Sequence, residues 1–344
     1  MGTEGECRGH RFALQLVRML AQAEIPPELT EGLRTQRGEF ARPFTTGSRV
    51  YERSGAVYNR GMIEQLHPIR IGCSSWSYPD WEGVFYPEGM PAGDYLEYYA
   101  DRFPIVEVDS TFYRPPTPSM VRGWKGRTPE GFKFALKVPR VITHEKQLRD
   151  CAEEVAGFVS SIEPLGEKLH CALLQMGYFN KGAFGSLDEF LAVLDAFLDG
   201  WPHQRVPLAV EIRNPRWVGP ELAGVLRAHG AALTLTEQKW MPTPAQVVER
   251  IDPVTGPFAF VRLIGDRESI EKITTTWDKI VIDRSAALAE SARVIVMLAQ
   301  RVPVVVFANN HYAGHGPATV RALRGLLGLP EPVPPVRPRT TLFD

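Results

Sequence analysis

The feature that most restricts what this chain can fold into is a repeat of eight short apolar segments, each with a polar residue at or near its C-terminal end. They are Ile69–Trp76, Val106–Phe112, Phe132–Val138, Cys171–Met176, Leu208–Arg213, Ala232–Glu237, Phe258–Ile264 and Val304–Asn309. The stretches between them read as helix or loop. Strands alternating with helices make parallel βα units, and eight such units close a barrel. The expected architecture is an α/β fold of the (β/α)8 TIM type, with its chemistry at the C-terminal ends of the strands.

Alternation within the segments assigns faces. Leu208, Val210 and Ile212 share one side of their strand, and Ala209, Glu211 and Arg213 the other. Glu107, Asp109 and Thr111 oppose Val106 and Val108, while Lys133, Ala135 and Lys137 oppose Phe134 and Leu136. Successive side chains point to opposite sides of a strand, so a helical shell would cover the apolar sets and the polar sets would face the axis. A charge there is costly unless it is paired or held beside water or a ligand.

The 344 residues are 44% hydrophobic and 23% charged, with a formal net charge of −1. That suits one large barrel with an appendage and gives no global attraction to nucleic acid or anionic lipid. No apolar run is long enough to span a bilayer. Cys7, Cys73, Cys151 and Cys171 form no CxxC pair; reduced thiols in a cytoplasmic protein are the expectation. Residues 1–66 lack periodicity beyond a short helix over Phe12–Ala23 and read as a loosely packed or partly disordered extension, with Met62 an alternative first residue. The barrel is expected over 67–330, followed by a Pro-rich tail, 331–344. Helices are expected at Gly93–Phe103, Glu145–Ile162, Leu187–Leu198, Pro220–His229, within Glu268–Gln300 and at Pro317–Leu327, whereas Pro242–Pro257 carries few helix cues.

The candidate site follows from the inward faces. Glu211 and Arg213 suggest a carboxylate base or ligand beside a cation, or else an ion pair bridging a barrel layer. Lys137 and Arg262 should face the axis at similar height. Lys137 suits anion binding, a Schiff base or a structural salt bridge. Glu107 and Asp109, about 6.5–7 Å apart by strand rise, suit shared acid and base roles or a divalent metal, with Glu107 alternatively pairing to Lys137 or Arg213. Asn309 and Asn310 open a Gly-rich turn before a helix, where an anion would be favoured. His144 lies at the mouth after the third strand. Trp76, Tyr78, Trp81, Phe85 and Tyr86 make the first loop aromatic, more in keeping with a self-packed lid than with a stacking surface. Cys73 should face the helices.

Several stretches resemble the YecE-like proteins, the family known as domain of unknown function 72. They are Ile71-Gly-Cys-Ser-Ser-Trp-Ser-Tyr-Pro-Asp-Trp81, Phe85-Tyr-Pro87, Tyr95-Leu-Glu-Tyr-Tyr99, Val106-Glu-Val-Asp-Ser-Thr-Phe-Tyr-Arg114, Phe132-Lys-Phe-Ala-Leu-Lys137, Ile142-Thr-His144, Ala209-Val-Glu-Ile-Arg213, Val261-Arg-Leu263 and Phe307-Ala-Asn-Asn310, with Trp124, Gln175 and Trp217 between. The resemblance covers residues 69–328 and implies a (β/α)8-type barrel; it brings no established activity. Trp76, Tyr113 and Gln175, all among the matching residues, are further candidate binding residues. The chain departs from the pattern at Ile264, where a His is usual, and at Glu237, where Asp is frequent.

The leading expectation is an enzyme of hydrolase, lyase or isomerase type. Its small anionic ligand, phosphorylated or carboxylated, would be held by Arg213, Arg262, Lys137 and the eighth loop. Glu211 and Asp109 would supply acid–base chemistry, with or without a divalent metal. The alternatives are metal-dependent phosphodiester or nucleic-acid processing, and a non-catalytic ligand-binding barrel. No membrane partner is expected.

Overall fold

A computed structural model describes residues 65–330; the tail and all but the last two residues of the expected N-terminal extension lie outside the described residues. Eight strands, β1 (Ile69–Cys73), β2 (Ile105–Val108), β3 (Lys133–Lys137), β4 (Leu169–Gln175), β5 (Leu208–Glu211), β6 (Ala232–Gln238), β7 (Ala259–Gly265) and β8 (Val304–Ala308), fall within the expected segments or overlap them closely. Neighbours pair in parallel in the order β1-β8-β7-β6-β5-β4-β3-β2. The ring closes where β1 meets β2, with the Ser75 N–H donating to the Glu107 carbonyl at 2.7 Å.

That seam is built differently from the rest. The Tyr99 hydroxyl accepts from the Cys73 N–H at 2.6 Å and donates to the Ile105 carbonyl at 3.0 Å, replacing part of the missing ladder. Buried backbone groups need such partners. Gly72 makes the approach possible, because a Cβ there would lie 1.9 Å from the Ile105 oxygen. Inside the ring, Ile105, Ala135, Leu173, Ala209, Phe260 and Phe307 form a compact apolar plug beneath the polar ends. The opposite strand faces, among them Val106, Leu136, Val210 and Val306, meet the helices. The period-two reading of the segments thus assigns both faces.

The helices are α1 (Tyr95–Ala100), α2 (Pro118–Gly126), α3 (Ala152–Ile162), α4 (Leu187–Asp199), α5 (Pro220–Ala228), α6 (Pro244–Arg250), α7 (Arg267–Glu271), α8 (Ser285–Ala299), α9 (Asn310–Ala313) and α10 (Gly316–Leu326). Two depart from expectation. The proline-rich crossover contains α6, started by a capping box in which Thr243 and Gln246 bond to each other's backbone N–H. The helix expected from Glu145 begins only at Ala152; a wide turn over Val141–Glu145 precedes it, and Gln147, Leu148 and Asp150 take positive φ, which a helix cannot accommodate. No helix among the described residues is long and apolar enough to cross a membrane.

Candidate active site at the strand ends

Above the apolar plug the inward side chains become charged, and the deepest of them form one connected chain. Arg262 on β7 donates from Nε and Nη2 to both oxygens of Glu107 on β2, at 2.8 and 2.5 Å. Its Nη1 donates to Glu211 Oε2 on β5 at 2.7 Å. The other Glu211 oxygen lies 2.5 Å from Arg213 Nη2, and Arg213 Nη1 donates to the side-chain oxygen of Gln238 on β6. Glu107, Glu211 and Arg262 are buried, and the network joins four strands across the barrel by direct contacts. Burial tends to raise the pKa of Glu211, but Arg213 and Arg262 overcome it and leave it lowered. Burial likewise opposes the charge of Arg262, and the two carboxylates more than restore it. The bidentate fork is the geometry guanidinium and carboxylate favour. Glu211 is therefore held as an anion by two arginines.

Nearer the mouth the pairing stops. The Thr111 hydroxyl bonds to the carbonyls of Val108 at 2.9 Å and Lys137 at 2.7 Å, tying together the ends of β2 and β3. The two side chains this brings to the mouth are Asp109 and Lys137. Among the described residues Lys137 makes no ion pair or side-chain hydrogen bond; its Nζ sits 4.0 Å from the centre of the Phe112 ring. Burial lowers its pKa to about 8, aided by Arg262 and opposed by Glu107 and Glu211. Burial moves Asp109 the other way, upward, reinforced by Glu107 and countered by Lys137 and Arg262. An ammonium and a carboxyl at the ends of neighbouring strands, each pushed toward neutrality, are suited to proton transfer near neutral pH.

The remaining candidates divide between rim and frame. His144 stands edge-on to Phe112 with centroids 5.0 Å apart, and its Nδ1 is 2.8 Å from the Thr143 hydroxyl. Burial, then Lys137, Arg140 and Arg213, lower its pKa. Gly177 lets the ring in, since a Cβ there would meet it at 3.1 Å. Gln175 pairs in register with Glu211, and its amide donates to the Met176 carbonyl at 3.0 Å. Tyr113 projects into solvent, 76% exposed. Trp76 packs edge-on against Trp124 of α2 at 5.8 Å.

The eighth loop is an internal clamp. Asn310 is buried, and its side-chain oxygen accepts from the Trp81 indole N–H at 3.2 Å and the Gly316 N–H at 2.8 Å. The second residue of α10 is Pro317, so little of that helix N-terminus is left for an anion. Asn309 bonds His311, through its backbone N–H at 2.9 Å and its ring at 2.6 Å. The aromatic first loop is also turned inward: Trp81, Phe85 and Tyr86 are buried, with Tyr86 stacked on Tyr95 at 4.0 Å, the self-packed arrangement.

Two positions change meaning. Glu237 pairs in register with Leu263 and senses Arg284 and Glu290 of the helical layer, so it faces away from the axis. The inward residue at the end of β6 is Gln238, which sequence reasoning missed; continuing the alternation Ala232, Thr234, Thr236 by one step would have found it. Ile264 follows Arg262 on the inward face and presents an apolar side chain to the mouth. Two open clefts, one lined by Arg122, Lys125 and Lys168 and the other by Arg70, Arg102 and Phe132, lie toward the opposite ends of the strands, away from this cluster.

A parallel eight-stranded barrel flanked by helices defines a TIM-type protein, and the charged cluster at its C-terminal face is the candidate site. Within that class the chain belongs to the family described as protein of unknown function DUF72, whose profile matches residues 70–341. It is 33% identical over 149 residues to the UPF0759 protein YecE of Escherichia coli K12, covering 43% of this chain and 50% of that protein. It is 30% identical over 158 residues to the UPF0759 protein YunF of Bacillus subtilis 168, covering 44% and 53%. The chain thus matches about half the length of these relatives. A crystal structure of a DUF72 family protein from Thermotoga maritima superposes with a TM-score of 0.61 at 27% identity, over 76% of this chain and 100% of that one.

Proposed function

We propose that this protein is an enzyme that binds a small anionic metabolite, phosphorylated or carboxylated, at the mouth formed by the strand C-termini, with Asp109 and Lys137 as its acid–base groups. The observation that carries the reading is the contrast in pairing: Arg262 and Arg213 each hold a carboxylate, while Lys137 among the described residues holds none. A half-buried ammonium with no ion-pair partner among the described residues gains when an anion arrives. His144 and Gln175 line the same end, and Arg213 reaches it with 18% of its side chain exposed. In this reading Glu107 and Glu211 fix the charge of the floor and do not exchange protons. Among the described residues no three His, Cys, Asp or Glu side chains are grouped to hold a metal ion, so nothing specific favours the phosphodiester alternative.

The test is a thermal-shift titration of wild type and Lys137→Met with inorganic phosphate, pyruvate, citrate and an uncharged sugar. Saturable stabilisation by one anion class, absent with the sugar and lost in the folded variant, supports the assignment. Stabilisation that survives in the variant, or no response to any anion, would remove it.

A further inference from the structure

We propose that Lys137 is a nucleophile that forms an imine with the carbonyl carbon of an anionic aldehyde or ketone. This deepens the reading above and rests on the mouth being the ligand site. A surface lysine is a hydrated, protonated point charge on a flexible stem and a poor nucleophile. Lys137 is instead fixed at the end of β3, its backbone carbonyl held by Thr111 and its ammonium against the Phe112 ring. A separate cation is available for a substrate's charged group: Arg213 lies at the same end of the barrel, anchored by Glu211 and Gln238, and its charge is felt at Lys137. The division leaves the amine free to react while the guanidinium orients. At pH near 8 about half of an amine with a pKa of about 8 is unprotonated, which an ordinary lysine is not.

The step balances with groups already present. The Lys137 nitrogen lone pair attacks the carbonyl carbon, forming a C–N bond, and the C=O π pair moves to oxygen. One N–H proton passes to that oxygen, giving a carbinolamine; Asp109, whose burial favours the protonated form, carries protons between nitrogen and oxygen. The C–O bond then breaks, the nitrogen lone pair forms C=N, and the hydroxyl leaves with a proton as one molecule of water. No redox partner is required.

The full-length chain is incubated at pH 8 with pyridoxal 5′-phosphate and, separately, with pyruvate, then reduced with sodium borohydride and mapped by peptide mass. The expected result is one adduct per chain on Lys137, formed at least 10-fold faster than on any other lysine and slowed by excess inorganic phosphate. Asp109→Asn is expected to slow adduct formation several-fold without abolishing it. Lys137→Arg, which keeps the charge, should bind phosphate and give no fast adduct. Labelling of Lys137 no faster than surface lysines, with both carbonyl probes, would overturn the imine. If phosphate still stabilises the wild type in that case, the anion site stands and only the nucleophile falls; if it does not, both fall.

Discussion

Two levels of charge lie at the top of this barrel, built from the same residue types and governed by different balances. At the lower level, Glu107, Arg262, Glu211 and Arg213 alternate in sign across three strands, and each charge is met by an opposite one within 2.8 Å. At the upper level, Asp109 and Lys137 form no ion pair among the described residues, and burial pushes both toward neutrality. The lower level spends its charges on one another and holds the ring together. The upper level leaves its charges outside that network, and that difference is what the proposed chemistry rests on.

The comparison breaks first at Arg262. Arg262→Met leaves two buried carboxylates 0% exposed and without their shared counterion. The expected loss is about 3–5 kcal/mol of unfolding free energy, read by urea denaturation at pH 7. A loss below about 1 kcal/mol would mean that the lower level relaxes as freely as the upper one.

Lys137→Met tests the other level and should act in the opposite direction. The folded pKa of Lys137 is depressed to about 8, so between there and the ordinary lysine value near 10.4 the unfolded chain binds more protons than the folded one. Stability contributed by this group is therefore poorest below pH 8 and recovers as pH rises toward about 10. The variant should be more stable than wild type at pH 7, by on the order of 1–3 kcal/mol, with the advantage shrinking toward pH 10. Chemical denaturation at four pH values would reveal a constant difference instead if Lys137 were paired in solution.

The two levels also differ in how far the sequence discloses them. The strand segments, the inward faces and the charged set Glu107, Lys137, Glu211, Arg213 and Arg262 follow from period-two alternation, because a barrel enforces that period on every strand. Which charges pair does not follow, since the partners of Arg262 lie 155 and 51 positions away and depend on relative strand height. For the same reason the sequence presents Glu211 and Asp109 as an acid–base pair without disclosing that two arginines contact Glu211. Asn310 is a further case. A Gly-rich turn before a helix has the same local pattern whether it cradles an anion or receives the Trp81 indole from another loop. Glu237 and Gln238 are separable by counting, because the strand runs one residue past Glu237 and the alternation puts Gln238 inside. The helix missed at Pro244–Arg250 was hidden by its prolines, one of which stands in the first turn, where it does no harm.

Asp109→Asn sharpens the contrast within the upper level at smaller magnitude. A carboxyl whose folded pKa is raised contributes stability fully present below its unfolded pKa near 3.9 and lost as pH rises through the folded value. The substitution should raise stability at pH 7 by about 1 kcal/mol or less and change nothing at pH 3.5. The reverse pattern would show a carboxylate held by a cation, as Glu211 is.

The smallest effect is expected where the two levels touch. Gln238 receives a hydrogen bond from Arg213, which at its other end pairs with Glu211. Gln238→Ala leaves Arg213 its carboxylate and partial access to water, so the loss should be only about 0.5–1 kcal/mol. Its functional consequence should be larger than its stability consequence, because Arg213 is then steered by one partner instead of two and presents its guanidinium to the mouth less uniquely. In the phosphate titration this would appear as an affinity several-fold weaker than wild type in a protein of nearly unchanged melting temperature. An unchanged affinity would place Arg213 wholly in the lower level and leave Lys137 as the cation that the ligand meets.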